Sequence, residues 1–161
     1  MKYHPIDSAL FVKNRSNFMA QMKANSLAVF NSNDIYPISA DSTMPFQQHI
    51  DIYYLSGVDQ EESILVMFPD CPNKKHREIL FLKETNDNIA VWEGEKLTKK
   101  RAFEVSGIKT VYWLQDLKKV LFLLVYFFKI LHVHNSHVKE FYSNIESKTL
   151  ALKVWFSTQN F

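Results

Sequence analysis

Three histidines close together are the set of residues in this sequence that most resembles a metal-binding site: His132, His134 and His137. Imidazole nitrogens are good ligands for zinc or nickel, and on a strand His132 and His134 would share one face. However, the sequence places no carboxylate between them, and its single cysteine lies far away along the chain. We therefore expect a polar strand end with solvated histidines and no metal site.

The single cysteine, Cys71, lies between Asp70 and Pro72 in a turn-rich stretch. A nucleophilic cysteine needs a positioned base, and no cysteine–histidine signature surrounds this one. We expect an unreactive thiol, and the sequence offers no catalytic residue elsewhere. One cysteine also excludes an internal disulfide, and the amino terminus has no apolar leader, so we expect a cytoplasmic protein.

Three carboxylates follow Gly57 closely: Asp59, Glu61 and Glu62. Paired carboxylates can divide acid and base roles when their environments differ. Because these lie between a glycine turn and an apolar stretch, we expect them to form a solvated loop.

Two further residues are candidates for contact with another molecule. Trp92 precedes Glu93 and Gly94 at the end of a predicted strand, where an indole either anchors an interface or closes the sheet as a core residue. Asp41 lies in a long polar loop between Ser39 and Ser42, where it is either a turn residue or a functional carboxylate. The pattern alone leaves both alternatives open.

The elements that must position these side chains alternate between helix and strand. Predicted helices cover residues 8–23 after an N-cap at Asp7, 98–106 followed by Gly107, an apolar stretch opened by Asp116, and 147–157. Predicted strands cover 26–30, 52–55, 63–68, 78–82, 89–92, 110–113 and 130–133, the fourth and fifth forming a hairpin through 86–88, with a structureless loop at 31–44. This order predicts an α/β fold with a mixed sheet flanked by helices.

Composition limits the function classes. The chain has 161 residues, enough for one domain, and its net charge of +2 is too small for a nucleic-acid surface. The apolar run 120–128 is shorter than the roughly 20 residues that span a bilayer, so a buried helix is expected and no membrane anchor. None of the three glycines lies in a nucleotide-binding pattern.

An ordered set of short motifs carries a family resemblance: SADS at 39–42, PFQQ at 45–48, DIYYLSG at 51–57, EESILV at 61–66 and AVWEG at 90–94. Together they closely resemble the N-terminal domain of aminopeptidase P. That family has, in the same order, an acidic loop, an aromatic-Arg-Gln step, a strand ending in Leu-Thr-Gly and an Ile-Trp-x-Gly motif. The resemblance is good over about 8–113 and faint beyond residue 117.

The resemblance implies a creatinase-type N-terminal domain with a mainly six-stranded mixed sheet, and a single domain over 1–161. In the family it precedes a pita-bread metallopeptidase domain that holds two metal ions, usually manganese, and releases an N-terminal residue from peptides with proline second. This chain ends before such ligands could appear. The resemblance therefore implies that it holds no metal or other cofactor and cannot perform the reaction alone.

The resemblance also implies a supporting role. In related enzymes the N-terminal domain builds the homo-oligomer and closes a neighbouring subunit's substrate pocket. The family's loop aspartate and hairpin tryptophan reach that pocket, and they correspond to Asp41 and Trp92 here. The expected partners are the missing catalytic domain, further copies of the protein and the peptide substrate, with no nucleic acid and no membrane.

One departure from the family concerns the Arg-Gln step, where Gln47 replaces the arginine, so its ionic contact is lost or relocated. The role of residues 118–161 stays open. Two alternatives also stay open: a stand-alone interaction module with this fold, and the N-terminal domain of a prolidase-type or creatinase-type enzyme. The reading frame beyond Phe161 separates an enzyme fragment, excised or naturally truncated, from a module.

Overall fold

The centre of the fold is a six-stranded mixed sheet, which confirms the predicted architecture. The computed structural model describes residues 6–40, 42–86, 94–127, 131–133 and 154–156. The strands of the main sheet are β1 (Leu27–Asn31), β4 (Ile64–Met67), β5 (Glu78–Leu82), β6 (Thr110–Trp113), β7 (Leu131–Val133) and β8 (Val154–Phe156). Their order across the sheet is β6-β5-β4-β1-β7-β8. The β1–β4 and β4–β5 pairs are antiparallel and the others parallel.

Among the described residues, four helices cover the two faces of this sheet: α1 (Ser8–Met19), α2 (Ile50–Ser56), α3 (Lys99–Ser106) and α4 (Leu117–Phe127). Alternate residues of the central strands point to opposite faces, so Val66 packs with α4 while Leu65 packs with α2 and α3. Both side chains are fully buried. This two-sided burial explains why β4 is a continuous apolar run in the sequence.

Several predicted elements are confirmed at or near their predicted ends. Strands β5 and β6 have the predicted bounds. Helix α3 begins after Thr98, whose hydroxyl accepts a hydrogen bond from the Arg101 amide, and it ends at Gly107 in the left-handed region with φ 72°. Of the hairpin predicted from strands 78–82 and 89–92, the second strand and most of the turn at 86–88 lie outside the described residues.

The prediction of a strand at 52–55 is wrong, because this segment is helix α2. Ile52 and Leu55 are buried, whereas the two tyrosines between them are exposed, which is the spacing of a helix and not of a strand. Gly57, with φ 67°, donates its amide hydrogen to the Tyr53 carbonyl at 2.7 Å and ends the helix. The β-branched and aromatic composition of the segment favoured a strand, but tertiary packing overrides that preference.

Three other segments differ from their predicted structure. The loop at 31–44 is not structureless, because β2 (Pro37–Ser39) and β3 (Ser42–Thr43) form a small antiparallel sheet. Helix α1 ends at Met19 and does not reach residue 23. The helix predicted at 147–157 is wrong over β8, where Val154, Trp155 and Phe156, all strand-favouring residues, pair with β7.

Candidate functional site

The two residues singled out for contact with substrate, Asp41 and Trp92, lie outside the described residues. The structure describes their flanks: Ala40 and Ser42 on either side of Asp41, and the segment from Gly94 onward after Trp92. His134 and His137 also lie outside the described residues, and of His132 only its place in β7 is described. The geometry of the site is therefore the geometry of the segments that carry these side chains.

The small sheet of β2 and β3, with the residues next to it, exposes large apolar side chains. Tyr36 is 59% exposed, Ile38 63% and Met44 57%. The base of this hairpin is tied by backbone and side-chain bonds, since the Met44 amide donates to the Tyr36 carbonyl at 2.8 Å and Asn33 Nδ2 donates to the Gln47 carbonyl at 3.0 Å. These exposed apolar side chains thus lie on both sides of position 41 in the sequence.

The chain leaving the hairpin is fixed to the loop after α2 by one side chain, Gln48. Its Nε2 donates to the carbonyls of Val58 at 3.0 Å and Gln60 at 2.9 Å, and contacts Ser63 Oγ at 3.2 Å. Its Oε1 accepts from the His49 amide at 2.8 Å. Both ends of this amide are thus satisfied, which fixes its orientation.

The segment after Trp92 is fixed to the same loop. Gln60 Oε1 accepts a hydrogen bond from the Leu97 amide at 2.7 Å, and Lys96 Nζ donates to Glu61 Oε1 in an ion pair. The Glu61 and Lys96 side chains are only 17% and 9% exposed. The expectation of a solvated carboxylate loop is therefore wrong for Glu61, whereas Asp59 is exposed and Glu62 forms a surface pair with Lys83.

Burial and pairing act in opposite directions on Glu61. Burial alone would raise the pKa of its carboxyl, but the hydrogen bond from Lys96, a backbone hydrogen bond and the charges of Lys96 and Lys83 together hold the pKa below its usual value of 4.5. A carboxyl with a depressed pKa stabilises the fold above its unfolded-state pKa. This contribution is lost as the pH falls through the folded-state pKa.

We expect Glu61→Gln to lower the free energy of unfolding by about 1–3 kcal/mol at neutral pH, because it replaces a charged hydrogen-bond acceptor by a neutral one. The difference from wild type should shrink below pH 4.5 as the wild-type carboxyl becomes protonated. Urea denaturation at a series of pH values measures this. Glu62→Gln is the matched control, expected to change stability by under about 1 kcal/mol. A Glu61→Gln effect of the same size at every pH would contradict the prediction.

The remaining candidates are Cys71, a possible metal site and a possible membrane helix. Cys71 is buried, in the core cluster that also contains Phe68 and Leu117. Within the part of the chain that the structure describes, no group of three or more His, Cys, Asp or Glu residues could hold a metal ion. Over the same residues, no helix combines the length and apolar character needed to cross a membrane.

Sequence comparison identifies what this chain is similar to. Residues 11–126 match the family model described as aminopeptidase P, N-terminal domain. Xaa-Pro aminopeptidase of Escherichia coli K12 is 25% identical over 115 residues, which are 71% of this chain and 26% of that protein. Xaa-Pro aminopeptidase 3 of Homo sapiens is 28% identical over 104 residues, which are 63% of this chain and 20% of that protein. The chain thus spans about a quarter of the length of these relatives.

Comparison with solved structures gives the same fold. Pseudomonas aeruginosa aminopeptidase PepP superposes with a TM-score of 0.78 at 20% identity, covering 89% of this chain and 32% of that chain. Escherichia coli aminopeptidase P with the inhibitor Pro-Leu gives a TM-score of 0.76 at 21% identity, covering 89% of this chain and 33% of that chain. In both cases the similar region is about a third of a longer protein.

Proposed function

Because the chain belongs to the family of aminopeptidase P N-terminal domains, we propose that it supports, without performing, the release of an N-terminal residue from peptides with proline second. The catalytic groups lie in a separate pita-bread domain that this single domain assists. The limited coverage of the relatives supports this division, since the chain corresponds to only 26% of the Escherichia coli enzyme.

The observation that carries the proposal is the exposed apolar hairpin. Tyr36, Ile38 and Met44 are each more than half exposed, on both sides of Asp41. Apolar side chains grouped on a surface favour contact with another polypeptide. We assign this surface to the homo-oligomer of the longer protein, in which it faces the substrate pocket of a neighbouring subunit.

Asp41 and Trp92 are the residues that we assign to that pocket. A carboxylate suits the free ammonium group of a peptide, directly or through water. An indole suits a small apolar side chain or a proline ring, and it loses little conformational entropy on docking because it is rigid. Both residues therefore act on substrate held by another subunit, and neither is a catalytic residue.

The two manganese ions that the family implies are assigned to the catalytic domain. When bound there, they would activate a water molecule and polarise the scissile carbonyl. The described residues of this chain do not fit such a centre, because they bring no three metal-ligating side chains together. The cytoplasmic location stays a proposal, based on the lone Cys71.

A chimera tests the proposal. In Escherichia coli Xaa-Pro aminopeptidase, this chain would replace the 26% of the protein that it matches. We expect the chimera to cleave an Xaa-Pro dipeptide, and Trp92→Ala to weaken substrate capture by about 2 kcal/mol, a rise of roughly 30-fold in KM, with an unchanged melting temperature. Trp92→Phe is the control and should restore most of the loss.

Three outcomes would contradict the proposal. The first is a folded chimera without activity. The second is Trp92→Ala lowering the melting temperature while leaving KM unchanged. The third is metal-dependent cleavage of the dipeptide by the pure 161-residue chain, which would place the catalytic groups within it.

A further inference from the structure

We infer that Gln60 and Glu61 are positioning residues, which hold the segment after Trp92 on the same loop that Gln48 ties to the exposed hairpin. This inference rests on the proposed function, because it concerns how the two substrate-facing segments are set relative to each other. None of these three side chains is required to touch the substrate. They act through the backbone segments that they fix.

The loop between Val58 and Ser63 is the common anchor. Gln60 takes part on both sides, because its carbonyl accepts from Gln48 Nε2 at 2.9 Å and its side-chain Oε1 accepts from the Leu97 amide at 2.7 Å. A single residue therefore connects the chain leaving the hairpin with the chain following position 92. The Ser63 hydroxyl donates to the same Gln60 carbonyl at 2.7 Å and stiffens the connection.

The orientation of the Gln60 side chain is set by its hydrogen bond to Leu97. An amide N–H can only donate, so Oε1 must face Leu97 and Nε2 must point the other way. Gln60 is 5% exposed, and its Nε2 has no hydrogen-bond partner among the described residues. An unpartnered buried donor is destabilising, so an apolar residue here would suit the core better. The anchoring of Leu97 is what the glutamine adds.

The adjacent ion pair supports the same conclusion. Glu61 and Lys96 are largely buried, at 17% and 9% exposure, whereas the neighbouring Glu62 and Lys83 are 47% and 32% exposed. Displacing either partner would leave the other charge buried and unpaired, which is strongly unfavourable, so the pair resists movement of the segment that carries Lys96. Here it fixes Lys96, next to Leu97.

The experiment compares Gln60→Met and Glu61→Gln with the matched control Glu62→Gln. In the full chain, we expect Gln60→Met to accelerate hydrogen exchange of the Leu97 amide at least about tenfold, because this amide loses its acceptor. The melting temperature should change little, because the same substitution removes the unpartnered donor. In the chimera described above, both anchor variants should raise KM about three- to tenfold with kcat nearly unchanged, since a misplaced segment weakens capture first.

The outcomes separate this inference from the proposed function. Leu97 exchange that is unchanged in Gln60→Met, or accelerated as much in Glu62→Gln, would overturn the anchor. A KM unchanged in both anchor variants, while Trp92→Ala raises it, would overturn the positioning role. If Gln60→Met accelerates Leu97 exchange but Trp92→Ala leaves KM unchanged, the anchor stands and the proposed function fails. Should Gln60→Met not fold, Glu61→Gln and Lys96→Met provide the same comparison. Lys96→Arg, which keeps the charge, is then the control.

Discussion

Arg15→Met is expected to lower the free energy of unfolding by about 3–5 kcal/mol, which is the usual effect of removing one partner of a buried charged network. The whole free energy of unfolding of a domain is typically about 5–15 kcal/mol. The variant should therefore be partly unfolded near physiological temperature. Urea or thermal denaturation followed by circular dichroism measures the loss.

The physical reason is the number of elements that meet at this guanidinium. Arg15 lies on α1 and is fully buried. Its Nη1 donates to the carbonyls of Leu55 at 2.8 Å and Ser106 at 2.9 Å, and its Nε donates to Glu78 Oε2 at 3.1 Å. Burial lowers the pKa of the guanidinium, but Glu78 opposes the shift, and an arginine remains charged.

The two carbonyls lie in the last turns of α2 and α3, where the helix dipole is negative and carbonyl groups lack helical partners. One cation therefore satisfies two helix ends and joins both to α1 and to β5. Methionine fills a similar volume, but it has no N–H groups. The carbonyls of Leu55 and Ser106 and the Glu78 carboxylate would therefore lose their hydrogen-bond donor. The loss is larger than that of a single surface ion pair for this reason.

Two controls make the Arg15 result interpretable. Lys13→Met, on an exposed position of the same helix, should change stability by under about 0.5 kcal/mol. Arg15→Lys keeps the charge but lacks the planar guanidinium that reaches several acceptors at once. It should therefore recover only part of the lost free energy of unfolding. An Arg15→Met effect below about 1 kcal/mol would show that the helix ends find other donors.

Much of the fold could be predicted from the sequence because local signals agree with tertiary packing. Thr98 and Gly107 bracket α3 as a helix with a hydroxyl cap and a left-handed C′ residue, and both ends are confirmed. The apolar run of β4 is unbroken because helices cover both sheet faces. At these positions each local preference points to the same structure.

Helix α2 shows where local preference fails. Ile52, Tyr53 and Tyr54 all favour a strand, yet their burial follows helical spacing. The signals that could have identified the helix are His49, whose Nδ1 accepts from the Asp51 amide, and Gly57 at the other end. Read together as caps, they outweigh the composition of the segment between them.

The ion pairs of the site and of the core could not be predicted, because they join residues distant in sequence. Glu61 and Lys96 are 35 positions apart, and Arg15 and Glu78 are 63 apart. Nothing in a single sequence pairs a particular carboxylate with a particular cation at such separations. The one available signal is that Arg15 lies four residues after Phe11 and three before Phe18, which places its charge on an apolar face of the predicted helix.

Gly57→Ala is the second substitution with a large expected effect, lowering the free energy of unfolding by about 2–5 kcal/mol. About 1–2 kcal/mol comes from placing a side chain in the left-handed region, where Gly57 has φ 67°. About 1–3 kcal/mol comes from overpacking, because an added Cβ would lie 2.3 Å from Phe11 Cε2 and 2.5 Å from Phe11 Cζ. Phe11 is a buried ring on α1 and cannot move freely aside.

Gly94→Ala separates the two contributions, because Gly94 has φ 80° but an added Cβ there meets no described atom within 4 Å. It should show only the conformational part, about 1–2 kcal/mol. In a Phe11→Leu background the ring is gone, so the effect of Gly57→Ala should fall to the Gly94 value, which a double-mutant cycle measures. If the two glycine substitutions are equally destabilising in the wild-type background, the close approach of α1 to the end of α2 is not what requires glycine at position 57.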